Sequence, residues 1–284
     1  MKKILAVATL CLFPVSAMAA EGDAGVDGFF SLAAGYNWSD MGGIIKPEGL
    51  NLNVRGSVAV PVKGNYGVQV DADVTRSVYD LNIVSSNLKK TESALAVHTY
   101  WRDSSRGLVG LIGQVNTTAN SIGMLSNTRY FVGAEGQYYL KNVTLYGQAV
   151  YQTGKFGMGS TIDADGVTLA GQVRYFAKPN LSFTLKGSYE KLNTKMSLDH
   201  SGWLVGGKGE YRYAKLPIST FVEVDYRGGK FTVPGSSFKE HETRAMAGVK
   251  FHFGSKSLLE RDRSGASLDP VRPLEAPLPL GFID

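Results

Sequence analysis

The chain has 284 residues, 43% of them hydrophobic and 19% charged, with 34 Gly, 14 Tyr and one Cys. The apolar share is too high for a disordered chain, and a formal charge of +5 without any basic run excludes a dedicated nucleic-acid binder. Few stretches favour helix, and the composition is that of a β protein.

Residues 1–19 read as a removable signal peptide. Lys2 and Lys3 give a positive start, Ile4 to Val15 an apolar core, and Ala17-Met18-Ala19 a small-residue cleavage site. The core is too short for a spanning helix, which needs about 20 residues. Cys11 lies within it, so the exported chain is expected to hold no cysteine and no disulfide.

Beyond the leader no window is apolar enough for a helical span, and period-two alternation takes over. In Leu181–Glu190, Leu181, Phe183, Leu185, Gly187 and Tyr189 share one parity, and Ser182, Thr184, Lys186, Ser188 and Glu190 the other. Twelve such segments follow in order, over 27–38, 49–60, 66–79, 91–102, 107–118, 128–140, 143–155, 165–177, 180–193, 200–213, 217–231 and 240–253. Their connections alternate in length. Short ones hold turn residues, such as Pro61 to Asn65, Asp103 to Arg106, Lys141-Asn142 and Lys178-Pro179; long ones run to about 8–12 residues.

This rhythm predicts an all-β fold: an antiparallel up-and-down transmembrane β-barrel of about 12 strands over residues 20–253, with outer-membrane lipid around it. An even strand count puts both chain ends on the tight-turn side, the periplasm. A soluble sandwich would alternate too, but gives no reason for aromatic residues at the strand ends. Tyr36, Trp38, Tyr151, Tyr189, Trp203 and Tyr226 lie on the apolar parity near the long loops, and Trp101, Tyr138, Tyr175, Tyr211, Tyr213 and Phe253 near the tight turns. Two such belts match the two interfaces of a bilayer.

The last segment ends Gly248-Val249-Lys250-Phe251-His252-Phe253. It resembles the closing-strand signal of Gram-negative outer-membrane β-barrels, with Gly248, Phe251 and Phe253 at its marked positions. The resemblance is to that porin-like class and extends over about residues 27–253. It implies a cell outer membrane location and the barrel-assembly machinery as a partner in biogenesis. In most of the class this signal ends the chain, whereas here residues 254–284 follow it.

The polar parity would line the lumen. It carries Arg55, Arg129, Arg174, Lys186, Lys208, Arg212, Arg244 and Lys250 against Asp71, Asp73, Glu92, Glu135, Glu190, Glu210, Glu223 and Asp225, with His98 among them. Lipid exposure of such charges costs several kcal/mol, so they face water or each other. The expected function is a passive, weakly selective channel for small hydrophilic solutes, since equal numbers of both signs do not favour one ion. The alternative is a non-conducting structural or surface-interaction barrel whose charges pair off.

An outer-membrane hydrolase ranks third. No His-Ser dipeptide has the needed neighbours, Asp199-His200-Ser201 is expected in a loop, and Asp71-Ala72-Asp73 has no Asp-x-His partner. Scattered histidines and absent thiols give no metal site, and no cofactor is expected. Without long loops, a monomer is favoured.

Residues 254–284 form a Pro-rich tail expected in the periplasm. Ser255–Arg263 could make one or two helical turns ending at Gly265, and Pro270, Pro273, Pro277 and Pro279 enforce an extended run. Disorder, a tether to a periplasmic partner and re-entry into the barrel all fit. Leu274, Leu278, Leu280, Phe282 and Ile283 are apolar for a free tail.

Overall fold

A computed structural model describes residues 25–43, 46–80, 87–121, 127–157, 161–194 and 199–274. The leader reading, residues 1–19, lies outside the described residues. Twelve strands follow in chain order: β1 (Asp27–Met41), β2 (Glu48–Lys63), β3 (Tyr66–Asp80), β4 (Leu88–Asp103), β5 (Gly107–Asn120), β6 (Asn127–Leu140), β7 (Val143–Gly157), β8 (Thr161–Lys178), β9 (Leu181–Thr194), β10 (Asp199–Arg212), β11 (Ile218–Val233) and β12 (Ser236–Phe253). Each pairs antiparallel with its chain neighbours, and β1 closes on β12 from Gly28↔Phe253 to Met41↔Glu240. The sheet is a closed barrel without edges.

Side-chain alternation then separates two environments. The outer surface carries exposed apolar residues, among them Leu52, Leu111, Val132 at 63% and Leu185 at 66%. The inner surface is polar and buried, the reverse of a soluble protein. Trp38, Tyr151, Tyr189, Trp203 and Tyr226 are exposed toward one rim, and Trp101, Tyr138, Tyr175, Tyr211 and Tyr213 toward the other. Phe251 faces outward in the last strand, and Phe253 packs over Gly28 at the seam.

Two expectations need correction. The long connections are shorter than expected: β11 and β12 pair up to Val233↔Ser236 and turn at Pro234-Gly235, where alternation placed a loop over 232–239. His200 lies within β10 and is buried, as the 200–213 segment has it and not as the loop reading of Asp199-His200-Ser201 has it. The strands have 14 to 18 residues, more than the roughly 9–11 that cross a bilayer. The surplus at the outer end stands in water, where the ladder persists but the apolar alternation that marks it fades.

The third correction concerns the tail: residues 254–264 fold under the base and residues 265–274 lie inside the barrel, rather than free in the periplasm. Gly254 turns the chain at φ +87°, and a Cβ there would meet the Val26 carbonyl oxygen at 2.7 Å. Asp27 holds the reversal, accepting from the backbone N–H and hydroxyl of Ser255 and from the N–H of Ala266 at 2.7 Å. A short helix, α1 (Leu258–Ser264), spans the base. Its N-cap Ser257 accepts from the Glu260 N–H at 3.1 Å. The chain then climbs the lumen to Leu274. Residues 275–284 lie outside the described residues.

Charge at the lipid face should be costly in proportion to depth. Val132→Arg, mid-strand in β6, is expected to destabilise the barrel by about 2–4 kcal/mol, and Leu140→Arg at the strand end by about 0–1 kcal/mol, measured by equilibrium unfolding in lipid.

Candidate functional site: the occupied lumen

The inward parity brings all fifteen candidate lumen residues to the interior: Arg55, Asp71, Asp73, His98, Arg129, Glu135, Arg174, Lys186, Lys208, Glu210, Arg212, Glu223, Asp225, Arg244 and Lys250. They divide into local networks. His98 stands between Asp71 (Nε2 to Oδ2, 3.3 Å) and Glu135 (Nδ1 to Oε1, 2.6 Å), and Tyr146 donates to Glu135 at 2.7 Å. Arg129 pairs with Glu190 at 3.2 Å, which Gln152 also reaches at 3.0 Å. Lys186 lies 2.7 Å from both Glu223 and Asp225, and Arg244 2.6 Å from Asp225. Gly206 makes room for that cluster, since a Cβ there would stand 2.1 Å from Asp225 Oδ1. At the base, Lys208 and Lys250 share Glu210 at 3.0 and 2.8 Å. Asp73 accepts from Asn53 at 2.9 Å. Of the closing signal, Gly248 also faces inward, packed against the Phe221 ring.

The tail meets side chains from almost every wall, which is possible only from inside a closed ring. Its backbone is read by glutamines. The Gln69 amide donates to the Leu268 carbonyl at 2.8 Å and accepts from its N–H at 3.2 Å. Gln114 does the same for Val271, at 2.7 and 2.8 Å. Gln148 donates to the Asp269 carbonyl at 2.6 Å and Gln137 to that of Ser267 at 3.0 Å. Thus a segment with no sheet partner keeps its peptide groups satisfied, as burial demands.

The tail's side chains repeat every three residues, the period of a polyproline helix. Leu268, Val271 and Leu274 are buried to 1%, 3% and 3% exposure. Leu268 packs with Tyr100, Leu108 and Tyr146, and Val271 with Ala96, Ile112, Phe131 and Val150. Asp269 and Arg272 turn to charged walls. Arg272 lies 2.7 Å from Glu223 and 3.5 Å from Asp225. Asp269 stands between Arg55 (2.9 Å) and Arg174 (2.6 Å). Arg55 is on β2 and Arg174 on β8, six places apart in a ring of twelve, hence on opposite walls. With strands about 4.8 Å apart and tilted about 40°, such a ring is about 24 Å across at the backbone. The Arg55–Asp269–Arg174 bridge therefore crosses the lumen. At its foot, Arg174 also reaches Asp262 of α1 at 3.0 Å, and Arg102 donates to the Gly265 carbonyl at 2.7 Å.

Residues 254–274 do not fill the lumen. A cavity of about 120 Å³ lies on the tail's outer side, reaching Asn116, Arg227 and Glu242. Another of about 150 Å³ lies on its inner side, reaching Ser182, Thr184 and Arg261. Both are lined by Arg55, Lys208, Glu223, Lys250 and Arg272, so polar space lies on both sides of the tail along the β10–β12 wall.

The inner end also holds a serine beside a histidine, Ser219 Oγ lying 2.8 Å from His252 Nε2. Arg261 donates to His252 Nδ1, which leaves the proton on Nε2, and Ser219 donates to Glu210 at 2.8 Å. A base must accept at the nitrogen facing the hydroxyl, and here that nitrogen donates. Among the described residues no group of three His, Cys, Asp or Glu could hold a metal ion.

Arg102, Gln69, Gln114, Arg227, Glu242, Asp269 and Arg272 were missed as lumen residues. Arg227 continues the parity of Glu223 and Asp225, and Glu242 that of Arg244, so alternation could have found both. Nothing periodic on the strands announces the tail; its signal was Leu268, Val271 and Leu274 at three-residue spacing.

A closed barrel with an apolar exterior, aromatic rims and a charged interior defines an outer-membrane β-barrel protein of a Gram-negative bacterium. No family model and no curated protein matches the chain in sequence. In fold it is similar to the β domain of the Bordetella autotransporter BrkA, at TM-score 0.52 and 8% identity, over 80% of this chain and 100% of that one. The translocator domain of autotransporter NalP from Neisseria meningitidis aligns at 0.48 and 15%, over 88% and 96% of the two chains. The KdgM porin in complex with disordered oligogalacturonate aligns at 0.44 and 14%, over 78% and 99%.

If the bridge holds the tail, weakening it should expose Val271. Asp269 is 30% exposed, so its loss costs less than the roughly 3–5 kcal/mol of a fully buried pair; about 1.4 kcal/mol suffices for a tenfold change. In a Cys11→Ser background, Val271→Cys is expected to react with a hydrophilic maleimide about tenfold faster once Asp269→Asn is added. An unchanged rate would show that the tail is held elsewhere.

Proposed function

We propose that this protein is a passive conduit for small hydrophilic solutes, narrowed by its own C-terminal segment. The observation that carries this reading is the pair of cavities left on the two sides of the tail, whose linings share Arg55, Lys208, Glu223, Lys250 and Arg272. A structural barrel would gain nothing from unfilled polar space at its centre, whereas a conduit requires it. Twelve strands also fall between the eight-stranded barrels packed by side chains and the sixteen-stranded ones with open channels. On this reading the resting passage is narrow, because the Arg55–Asp269–Arg174 bridge crosses the lumen.

A second reading, a non-conducting structural or surface-interaction barrel, is favoured by that same bridge and by the dense pairing of interior charges. Catalysis has less support, since the Ser219–His252 pair is arranged as donors.

Single-channel recording in planar bilayers separates these readings. The full chain is expected to give small, steady steps, and a chain ending at Gly254 larger ones. Silence in both would leave the structural barrel.

A further inference from the structure

Charge is distributed unevenly along the axis of the barrel. Seven cationic side chains but only four carboxylates line the inner cavity, whereas six and five line the outer one. Asp71 and Asp225 pair from behind with Arg55 and Lys186, and including them still leaves the cations ahead. Deeper toward the base, Arg212 is buried at 6% exposure, makes no ion pair among the described residues and leaves Nη1 without a hydrogen-bond partner.

The rim outside that cavity repeats the bias. Each of the five tight turns carries an exposed cation: Lys63, Arg106, Lys141, Lys178 and Lys215. Against this collar stand Asp103, 3.8 Å from Arg106, and Glu260 on α1. At the opposite rim charge is balanced: Lys46, Lys89, Lys155, Lys191, Lys230 and Lys239 stand among Asp40, Glu48, Asp80, Asp163, Asp165, Asp199 and Glu240.

We infer that the passage selects anions: small inorganic anions and organic carboxylates or phosphates drawn in through a cationic inner mouth. The inference rests on the conduit reading and names its solute class, and it departs from the weak selectivity expected from equal charge numbers in the wall. That count took the wall as a whole, whereas the wall of the inner cavity carries Arg55, Arg174, Lys186, Lys208 and Lys250 against Glu210 and Glu223; the tail adds Arg261 and Arg272 but also Asp262 and Asp269, and the turns add the collar. Rings of one charge sign are what select ions in pores. A site potential of about one RT per unit charge acts with opposite sign on the two ions, and separates a monovalent anion from a cation by about sevenfold.

The test is the reversal potential of the full chain in a bilayer of zwitterionic lipid under a potassium chloride gradient. Chloride is expected to be favoured over potassium by about sevenfold. Lys208→Gln combined with Arg212→Gln should bring the ratio toward one, while Lys89→Gln at the outer rim leaves it unchanged. Conduction without preference, or with a preference for potassium, overturns the inference and leaves the conduit reading standing. Silence in both the full chain and the chain ending at Gly254 overturns the conduit reading and this inference with it. If converting the five turn cations to Gln does not move the ratio, the collar serves lipid headgroups and its part in the inference falls.

Discussion

Bilayer hydrocarbon offers no hydrogen-bond partner to a peptide group, and the architecture follows from that. A sheet can meet the demand only by closing on itself, which here happens between β1 and β12. Once it is closed, the two-residue period of a strand sends every other side chain outward into lipid and the rest inward. Apolar residues outside and charged residues inside are consequences of that single geometric fact. So is the need for the inward charges to find each other or water.

Twelve strands enclose more space than their own side chains fill, and the chain meets the surplus with its last described residues. Gln69 and Gln114 each engage both the N–H and the carbonyl of one tail residue, doing for the tail what a neighbouring strand does in a sheet. The tail's three faces meet three kinds of neighbour: aliphatic and aromatic wall for Leu268, Val271 and Leu274, opposite charge for Asp269 and Arg272, and cavity for Pro270 and Pro273. Leu274, the one described residue among the apolar tail positions that suggested something to bind, is buried within its own barrel.

The strands were legible because the bilayer imposes a sharp rule on each residue of a spanning segment. Val167 to Phe176 or Trp203 to Tyr213 can be sorted by parity alone, and the aromatic residues mark where lipid ends. That rule lapses beyond the rim, which is why the outer ends of β11 and β12 escaped it. Ion-pair partners escaped for another reason. Parity places Arg55 and Arg174 on the inner face, but that they meet at one carboxylate depends on the number of strands between them and on a segment that follows no two-residue period. Asp269 looks like any acid in a Pro-rich tail until the barrel is closed around it.

The bridge from β2 to β8 through Asp269 also bears on the mechanics of the barrel. An empty cylinder of hydrogen-bonded strands resists stretching around its circumference but flattens easily, because ovalising it breaks no ladder bond. Lateral pressure in a membrane pushes toward such flattening. Two guanidinium groups gripping one carboxylate from opposite walls act as a tie across the diameter, and α1 stiffens the base below it. The tail therefore fixes the roundness of the cylinder as well as the space left inside it, so releasing it would alter both together.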